Sequence, residues 1–389
     1  MLHVIPSIGP LRGGPSAVMK TLAAGLARHG VDVHVIATDD NGPERLSVAL
    51  DQPITEDGAV YRYFPRQIRP YTCSLPLTTW LWAHVRDYDL VHIHAVFSYA
   101  STVAAWCASA RGVPYIVRPL GVLNQWGMRN RRPWLKSLSF RLIDRRVLER
   151  AAVIQYTSLS EQKEAEELPF HAPAAIVPNP VQLDDPATLT RGAFRKRHPE
   201  LKGKTIFLFL SRLHEKKGVD LLLPAFARVH QTMPDTALVI AGDGSPALVS
   251  SLKQMAAGLG VTPHVVWTGF VQGEEKRSIL ADADLFVLPS YSENFAVAAV
   301  EAMGFRLPLI VSDQVGIHDQ VNAHQAGIVI PCQVEALAGA LERLAGDPAL
   351  RRSMGERGAA LAHSLYSLDA VCESGIRLYR SLLSGENGR

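Results

Sequence analysis

The chain has only four cysteines in 389 residues, Cys73, Cys107, Cys332 and Cys372, with no Cys-x-x-Cys pair and no histidine at zinc-ligand spacing. That scarcity argues against a disulfide scaffold and against structural zinc. Long apolar runs are also missing, and none approaches the roughly 20 residues a membrane-spanning helix needs. The opening "MLHVIPSIGPLRGG" has no basic stretch ahead of its apolar run, which Pro6 and Gly9 interrupt, so it does not read as a signal peptide. A cytoplasmic location is the expectation. A strong charge of either sign is lacking as well: the formal net charge is +3, too small to indicate nucleic-acid binding by itself.

What is present is a globular composition, 47% hydrophobic and 20% charged, in a chain longer than one core usually organises. Short β-rich apolar runs alternate with helical patterns: "LHVIPSI", "AVMKTLAAGLARHG", "VDVHVIAT", "LVHIHAVF", "VPYIVRPL". Strands buried on both faces and separated by helices predict parallel βαβ units. After a polar, proline-rich stretch the rhythm restarts with "TIFLFLSRL", "TALVIAGDG", "HVVWTGFV", "LFVLPSYS" and "LPLIVSD". The prediction is an α/β protein with two Rossmann-like, doubly wound parallel-sheet domains, residues 1–180 and 181–367. A last helical pattern over 368–389 could pack on either domain, the first included.

In such sheets ligands lie beyond the carboxyl ends of the strands, and that rule selects a few stretches. Gly13 and Gly14 follow the first strand and precede a helix, either as a structural turn or as a place where backbone approaches an anion. Arg212 and Lys217 in "SRLHEKKGVDLLLPAF" are either a solvated basic turn or two cations able to neutralise a diphosphate leaving group. In "SYSENFAVAAVEAMG", Glu293 lies in the turn before a helix expected to begin near Asn294 or Phe295. Glu301 lies two turns further on, alone on an apolar face, where a carboxylate is costly unless it is paired or binds something. Eight helical residues would separate the two by roughly 12 Å, so they must serve different atoms. Two histidines in "DLVHIHAVFS", His92 and His94, share a face by strand alternation. Spacing does not choose between them, and nearness to the strand's carboxyl end favours His94.

"ENFAVAAVE" resembles the E-x7-E signature of retaining glycosyltransferase family 4, whose members have the GT-B fold, two Rossmann-like domains facing across a cleft. "SRLHEKKGVDLLLPAF", "AGDGSP", "TGFV" and "PSYSENFAVAAVEAMGFRLPLIVSD" occur in that family's order. The resemblance implies a donor site made of Gly13, Gly14, Arg212, Lys217, Gly242, Gly269, Glu293, Asn294, Phe295 and Glu301. Within it Glu293 contacts the donor sugar, Glu301 the ribose hydroxyls, and Arg212 and Lys217 the phosphates. It also implies a catalytic set of His94, Glu293, Arg212 and Lys217, with no cofactor beyond the nucleotide-sugar substrate, UDP- or GDP-linked. Asp87-Tyr88-Asp89 and Asp282-Ala283-Asp284 both spell D-x-D, a metal signature of another glycosyltransferase fold. Both precede their strands, the wrong end for a ligand, so metal-independent transfer is expected.

Residues 111–150 hold ten basic side chains against Asp144 and Glu149. Trp126 and Trp134 flank the densest part, with Arg129, Arg131, Arg132 and Lys136. That mixture suits an anionic bilayer or a lipid diphosphate, or is a solvated basic helix. "RPLGVLNQWGMRNRRPWLK" resembles members that build exopolysaccharide, capsule or O-antigen on lipid-linked acceptors. The resulting expectation is a retaining hexosyltransferase acting on a lipid-linked or other glycan, peripheral at the inner face of the plasma membrane, with no nucleic-acid partner. A GT-B sugar-nucleotide epimerase and a catalytically silent partner subunit are the alternatives.

Overall fold

The computed structural model describes residues 1–12, 14–123, 133–184 and 191–385. Gly13, Trp126, Arg129, Arg131 and Arg132 lie outside the described residues. The chain divides into two compact units, Met1–Pro180 with Leu368–Arg389, and Val181–Ser367.

The first unit is built on β1 (Leu2–Ser7), β2 (His34–Thr38), β3 (Pro53–Glu56), β4 (Ala59–Phe64), β5 (Val91–His94), β6 (Tyr115–Arg118), β7 (Val153–Tyr156) and β8 (Ala174–Ile176). They form one sheet in the order β8-β7-β6-β5-β1-β2-β4-β3. All neighbours are parallel except the edge pair β3 and β4, as expected where crossover helices join strands that are apolar on both faces. Helix α1 (Gly14–Arg28) buries Met19, Leu22, Ala23 and Leu26, the stripe of a helix with one face on a core. Helices α2 (Leu75–His84), α3 (Tyr99–Arg111), α4 (Pro133–Ser139), α5 (Arg145–Glu149) and α6 (Leu159–Glu166) follow, with a π-helical turn, Phe140–Asp144, between α4 and α5.

In the second unit β9 (Thr205–Leu210), β10 (Thr236–Ala241), β11 (Val265–Gly269), β12 (Leu285–Leu288), β13 (Leu309–Ser312) and β14 (Gly327–Ile330) run in the order β11-β10-β9-β12-β13-β14. All these neighbours are parallel. Strand order reverses between β9 and β12, which opens a crevice at their carboxyl ends. The helices that bear on it are α7 (Val219–Thr232), α8 (Gly273–Asp282) and α9 (Val297–Gly304). The architecture is the α/β, doubly wound one that the strand–helix rhythm predicts.

Helix α10 (Leu368–Leu383) closes on the first unit, burying Val371, Cys372, Gly375 and Tyr379. Gly25 makes this possible: a Cβ there would lie 2.6 Å from Cys372 Sγ and 2.7 Å from a Leu368 methyl. Each large apolar side chain sealed in this way contributes about 1.5–3 kcal/mol, so even an alanine at position 25 would push the two helices apart. Among the described residues no helix is long and apolar enough to cross a membrane.

Candidate active site

The crevice of the second unit is made by loops that glycine lets touch. After β9 the chain passes Ser211 and Arg212 into a tight turn, Glu215–Lys217, that ends at Gly218 with φ +70°. A Cβ on Gly218 would come 2.0 Å from the Pro289 carbonyl oxygen, and one on Gly242 would come 1.9 Å from that of Ser211. These two positions therefore stitch the loops after β9, β10 and β12 together, and Gly242 serves packing first. Gly269, in the left-handed region at the end of β11, faces open space instead. Lys217 is carried inward by this turn and is 8% exposed, and its ammonium donates to Glu293 Oε2. Burial, with Lys216 and Arg212 beside it, pulls the Lys217 ammonium down to about 8. Arg212 itself stays exposed.

Glu293 is held by its backbone. Its N–H donates to the Gln314 carbonyl at 3.0 Å, and its own carbonyl accepts from Gly316 N–H at 2.7 Å. This clamp delays the helix. Ala296 stands at φ +66°, ψ +63°, and α9 begins at Val297, not at Asn294 or Phe295 as the apolar run predicts. A non-glycine residue there costs roughly 1–2 kcal/mol, and such strain persists only where its surroundings over-determine it. The 12 Å helical spacing of the two glutamates consequently does not apply, because residues 293–296 are not helical. Phe295 turns its ring into the core against Tyr366, centroids 5.5 Å apart. Asn294 is half-buried beside it.

Glu301 does not stand alone on an apolar face. Lys276 in the first turns of α8 donates to its Oε1 at 2.7 Å, and the two side chains are 29% and 20% exposed. Sequence reasoning missed Lys276. The available signal was a cation near a helix N-terminus, where the dipole favours acids, directly after the strand that ends at Gly269. Lys216, half-buried next to Lys217, was missed as well. The crevice thus gathers Arg212, Lys216 and Lys217 for negative charge, and two lysine-held carboxylates able to accept hydroxyl hydrogens. Asp282 and Asp284 are placed elsewhere. The Asp282 carboxylate accepts N–H groups of Gly192, Phe194 and Arg195; that of Asp284 accepts Ile206 N–H and the Arg195 guanidinium.

In the first unit Gly14 opens α1 with free space where a Cβ would go. His94 is 1% exposed. Its Nε2 lies 2.9 Å from His3 Nδ1, its ring stacks on His92 at 4.2 Å between centroids, and His92 Nδ1 meets the Tyr379 hydroxyl at 3.1 Å. Strand register explains the cluster: β1 pairs His3 with His92, and β5 pairs His94 with Arg118. Burial first, then the neighbouring imidazoles and the fully buried Arg118, hold His92 and His94 well below the usual histidine range; His3 is brought down to about 3. The three imidazoles bring nitrogens within 4.8 Å of one another. Among the described residues His3 Nε2 and His92 Nε2 have no hydrogen-bond partner, while the buried Arg118 guanidinium adjoining the cluster places a positive charge where a divalent cation would sit. Trp134 is 68% exposed and Lys136 half-buried on α4.

The family model for glycosyl transferases group 1 matches residues 190–360, and that for the glycosyl transferase 4-like domain matches residues 13–180. The chain belongs to the group 1 glycosyltransferases. One family model thus falls on each unit. Alpha-D-kanosaminyltransferase of Streptomyces kanamyceticus is 33% identical over 202 residues, 52% of this chain and 52% of its own, so the chain spans about half the length of that relative. The putative teichuronic acid biosynthesis glycosyltransferase TuaC of Bacillus subtilis is 30% identical over 258 residues, 66% of this chain and 61% of its own. Among solved structures, Anabaena HepE in complex with UDP matches with a TM-score of 0.77 at 17% identity, covering 98% of this chain and 99% of that one. That likeness shows the fold, which is GT-B.

Proposed function

We propose that the protein is a retaining glycosyltransferase that moves a hexose from a nucleotide diphosphate sugar to a glycan acceptor. The acceptor is lipid-linked, at an anionic membrane face, in the building of a bacterial surface or exopolysaccharide. The observation that carries this reading is the pairing of Glu293 with Lys217 and of Glu301 with Lys276 around the switch point of the second sheet. Two carboxylates on separate lysines match a ligand with two hydroxyl-bearing rings, and the cations between the loops match its diphosphate. The UDP in HepE and the teichuronic acid in the name of TuaC support the donor and acceptor classes.

In the transfer the bond from the anomeric carbon to the β-phosphate oxygen breaks, and the electron pair leaves with the diphosphate. Arg212 and Lys217 stabilise that charge as it develops. Glu293 orients the sugar through its hydroxyls, and Glu301 holds the ribose. The acceptor hydroxyl enters from the face the leaving group vacates, and its proton passes to the departing phosphate oxygen. His94, kept neutral and 1% exposed with its Nε2 on His3 Nδ1, holds the end of its strand in place rather than acting as an acid or touching the substrate. In this reading no metal takes part: the cations are the protein's own, and Asp282 and Asp284 are engaged by backbone N–H groups and by Arg195.

Thermal unfolding in EDTA with a panel of UDP- and GDP-sugars tests the reading, on the wild type and on Glu301→Ala. A donor at 100 times its dissociation constant adds about 2.7 kcal/mol and raises the midpoint by several degrees, a response the variant loses. Product analysis then shows the anomeric configuration retained. An epimerised sugar nucleotide formed without acceptor, or no response to any donor, overturns the proposal.

A further inference from the structure

The first unit carries an apolar surface that the transfer chemistry does not use. Trp82 on α2 and Trp106 on α3 stack with ring centroids 5.0 Å apart and planes 18° from parallel. The Arg111 guanidinium covers Trp82 at 3.9 Å from its centroid. Both indoles remain in solvent, 40% and 56% exposed. Against Trp106 lies a hollow of 390 Å³ whose walls include Leu142, Ile143, Arg146 and Arg150, and the two aliphatic side chains are themselves exposed. Upstream on α4, Trp134 and Leu138 stand one turn apart, also exposed. Isolated apolar residues on a surface mean little, but a contiguous group of them marks an interaction site.

Charge decides what the partner is. Arg146 and Arg150 line the hollow, Arg111 covers Trp82, Arg141 is exposed next to Leu142 in the chain, and Arg145 is already joined to Glu149 at 2.7 Å. Asp144 offers nothing outward: it is buried and accepts from the Ser139 hydroxyl and Phe97 N–H. A second copy seated on this patch by two-fold symmetry would bring arginines against arginines. A partner apolar at its centre and negative at its margin is a lipid interface with anionic headgroups. Tryptophan rings and arginine stems suit that zone, with the guanidinium at phosphate level.

We propose that this face docks the protein on an anionic bilayer, with Trp106, Leu142 and Ile143 entering the headgroup–acyl boundary and Arg146 and Arg150 on lipid phosphates. The proposal deepens the membrane half of the function given above and is independent of its donor half. It also relocates the contact: the exposed groups come from α2, α3 and the π-helical turn as well as from Trp134 and Leu138 of α4.

The test is flotation of the full chain with phosphatidylcholine vesicles, alone or mixed with phosphatidylglycerol, in parallel with the donor-induced thermal shift in the absence of vesicles. The wild type floats only with the anionic vesicles. Trp106→Glu with Leu142→Glu lowers the partition by about tenfold or more at any salt concentration. Arg146→Gln with Arg150→Gln lowers it by roughly fivefold per arginine at low salt and less as salt screens the attraction. Both double variants keep the thermal midpoint and the donor shift of the wild type. No flotation, or equal flotation of all three proteins, overturns the docking face. So does a wild-type dimer in sedimentation velocity that the glutamate variant abolishes, since a second copy is then the occupant. Flotation without any donor shift sinks the donor reading and leaves the docking face standing; a donor shift without flotation does the reverse.

Discussion

The two sheets of this chain handle polar side chains in opposite ways. The first unit buries like with like: His3, His92, His94 and Arg118 are each no more than 1% exposed, and Tyr379 of α10 caps them. The second pairs unlike with unlike, Lys217 with Glu293 and Lys276 with Glu301, and leaves the two carboxylates 19% and 20% exposed. A neutral imidazole among imidazoles is a core residue that happens to be polar, and its partners cannot be exchanged without opening the fold. A half-open ion pair has partners that a ligand can replace, because hydroxyls and phosphates offer the same hydrogen bonds. The lesson is that a buried polar cluster and a binding site are told apart by whether their contacts are expendable.

Acid should break the first arrangement and spare the second. The folded-state values of the three histidines lie below the unfolded 6.5, so the unfolded chain binds the extra protons. Their stabilising contribution is complete above pH 6.5 and is lost as pH falls towards the folded values, about 3 for His3. Each group contributes a slope of about 1.4 kcal/mol per pH unit, so three together give about 4. Arg118 faces the cluster from β6 and Tyr379 from α10, and neither can neutralise the new charge. Tryptophan emission reports on this unit, which holds five of the six tryptophans. It should shift to the red between about pH 6 and pH 4, while amide protons of β9–β14 stay protected from exchange. Emission that is flat over that range, or loss of protection in both units together, defeats the comparison.

The second arrangement should break at Lys217. In the proposed transfer Lys217 faces the leaving group, so Lys217→Ala should lower turnover about 100- to 1,000-fold, with the fold intact because Glu293 can rehydrate. The same residue gives a pH signature. Its ammonium, at about 8 in the folded protein against 10.5 unfolded, is charged below that value and must take up a proton on donor binding above it. The apparent dissociation constant of the donor should therefore rise by up to about tenfold per pH unit above 8. Folding has the opposite sign: the unfolded chain holds this proton more tightly, so between pH 8 and 10.5 the contribution of Lys217 to stability increases. Weaker donor binding over that window with no loss of stability identifies Lys217; parallel losses of both would point to general unfolding.

Several parts of this picture are readable in the chain itself. The strands announce themselves because runs such as "TIFLFL" and "LFVL" are apolar on both faces, and Arg212, Lys217 and Glu293 follow such runs directly. What cannot be read locally is whatever depends on a distant partner. Gly218 is obligatory because of Pro289, 71 residues away. Ala296, an excellent helix former, is held out of the helix by the clamp between Glu293 and residues 314–316. "VHIH" puts His92 and His94 on one face, yet only the register with β1 reveals that His3 joins them and that the face is closed.

Lys276 is the finest of these tests, because its observed contact is with Glu301. The pair is 29% and 20% exposed, so its worth to stability is about 0.2–1 kcal/mol, and Lys276→Gln should leave the unfolding midpoint nearly unchanged. Its value lies in orientation. Without the ammonium, Glu301 is free to turn towards solvent and, in the proposed donor site, must be re-ordered each time a ribose binds. That loss falls equally on the ground state and the transition state, since the ribose is remote from the bond that breaks. Donor KM should therefore rise about three- to tenfold with kcat at saturating donor unchanged, whereas Glu301→Ala, which removes the contact itself, should raise KM further. Arginine at the same position should restore most of the affinity, because it supplies the charge and a donor at similar reach. If Lys276→Gln lowers kcat instead, the lysine touches the reacting end of the donor, and the division of labour between the two glutamates has to be redrawn.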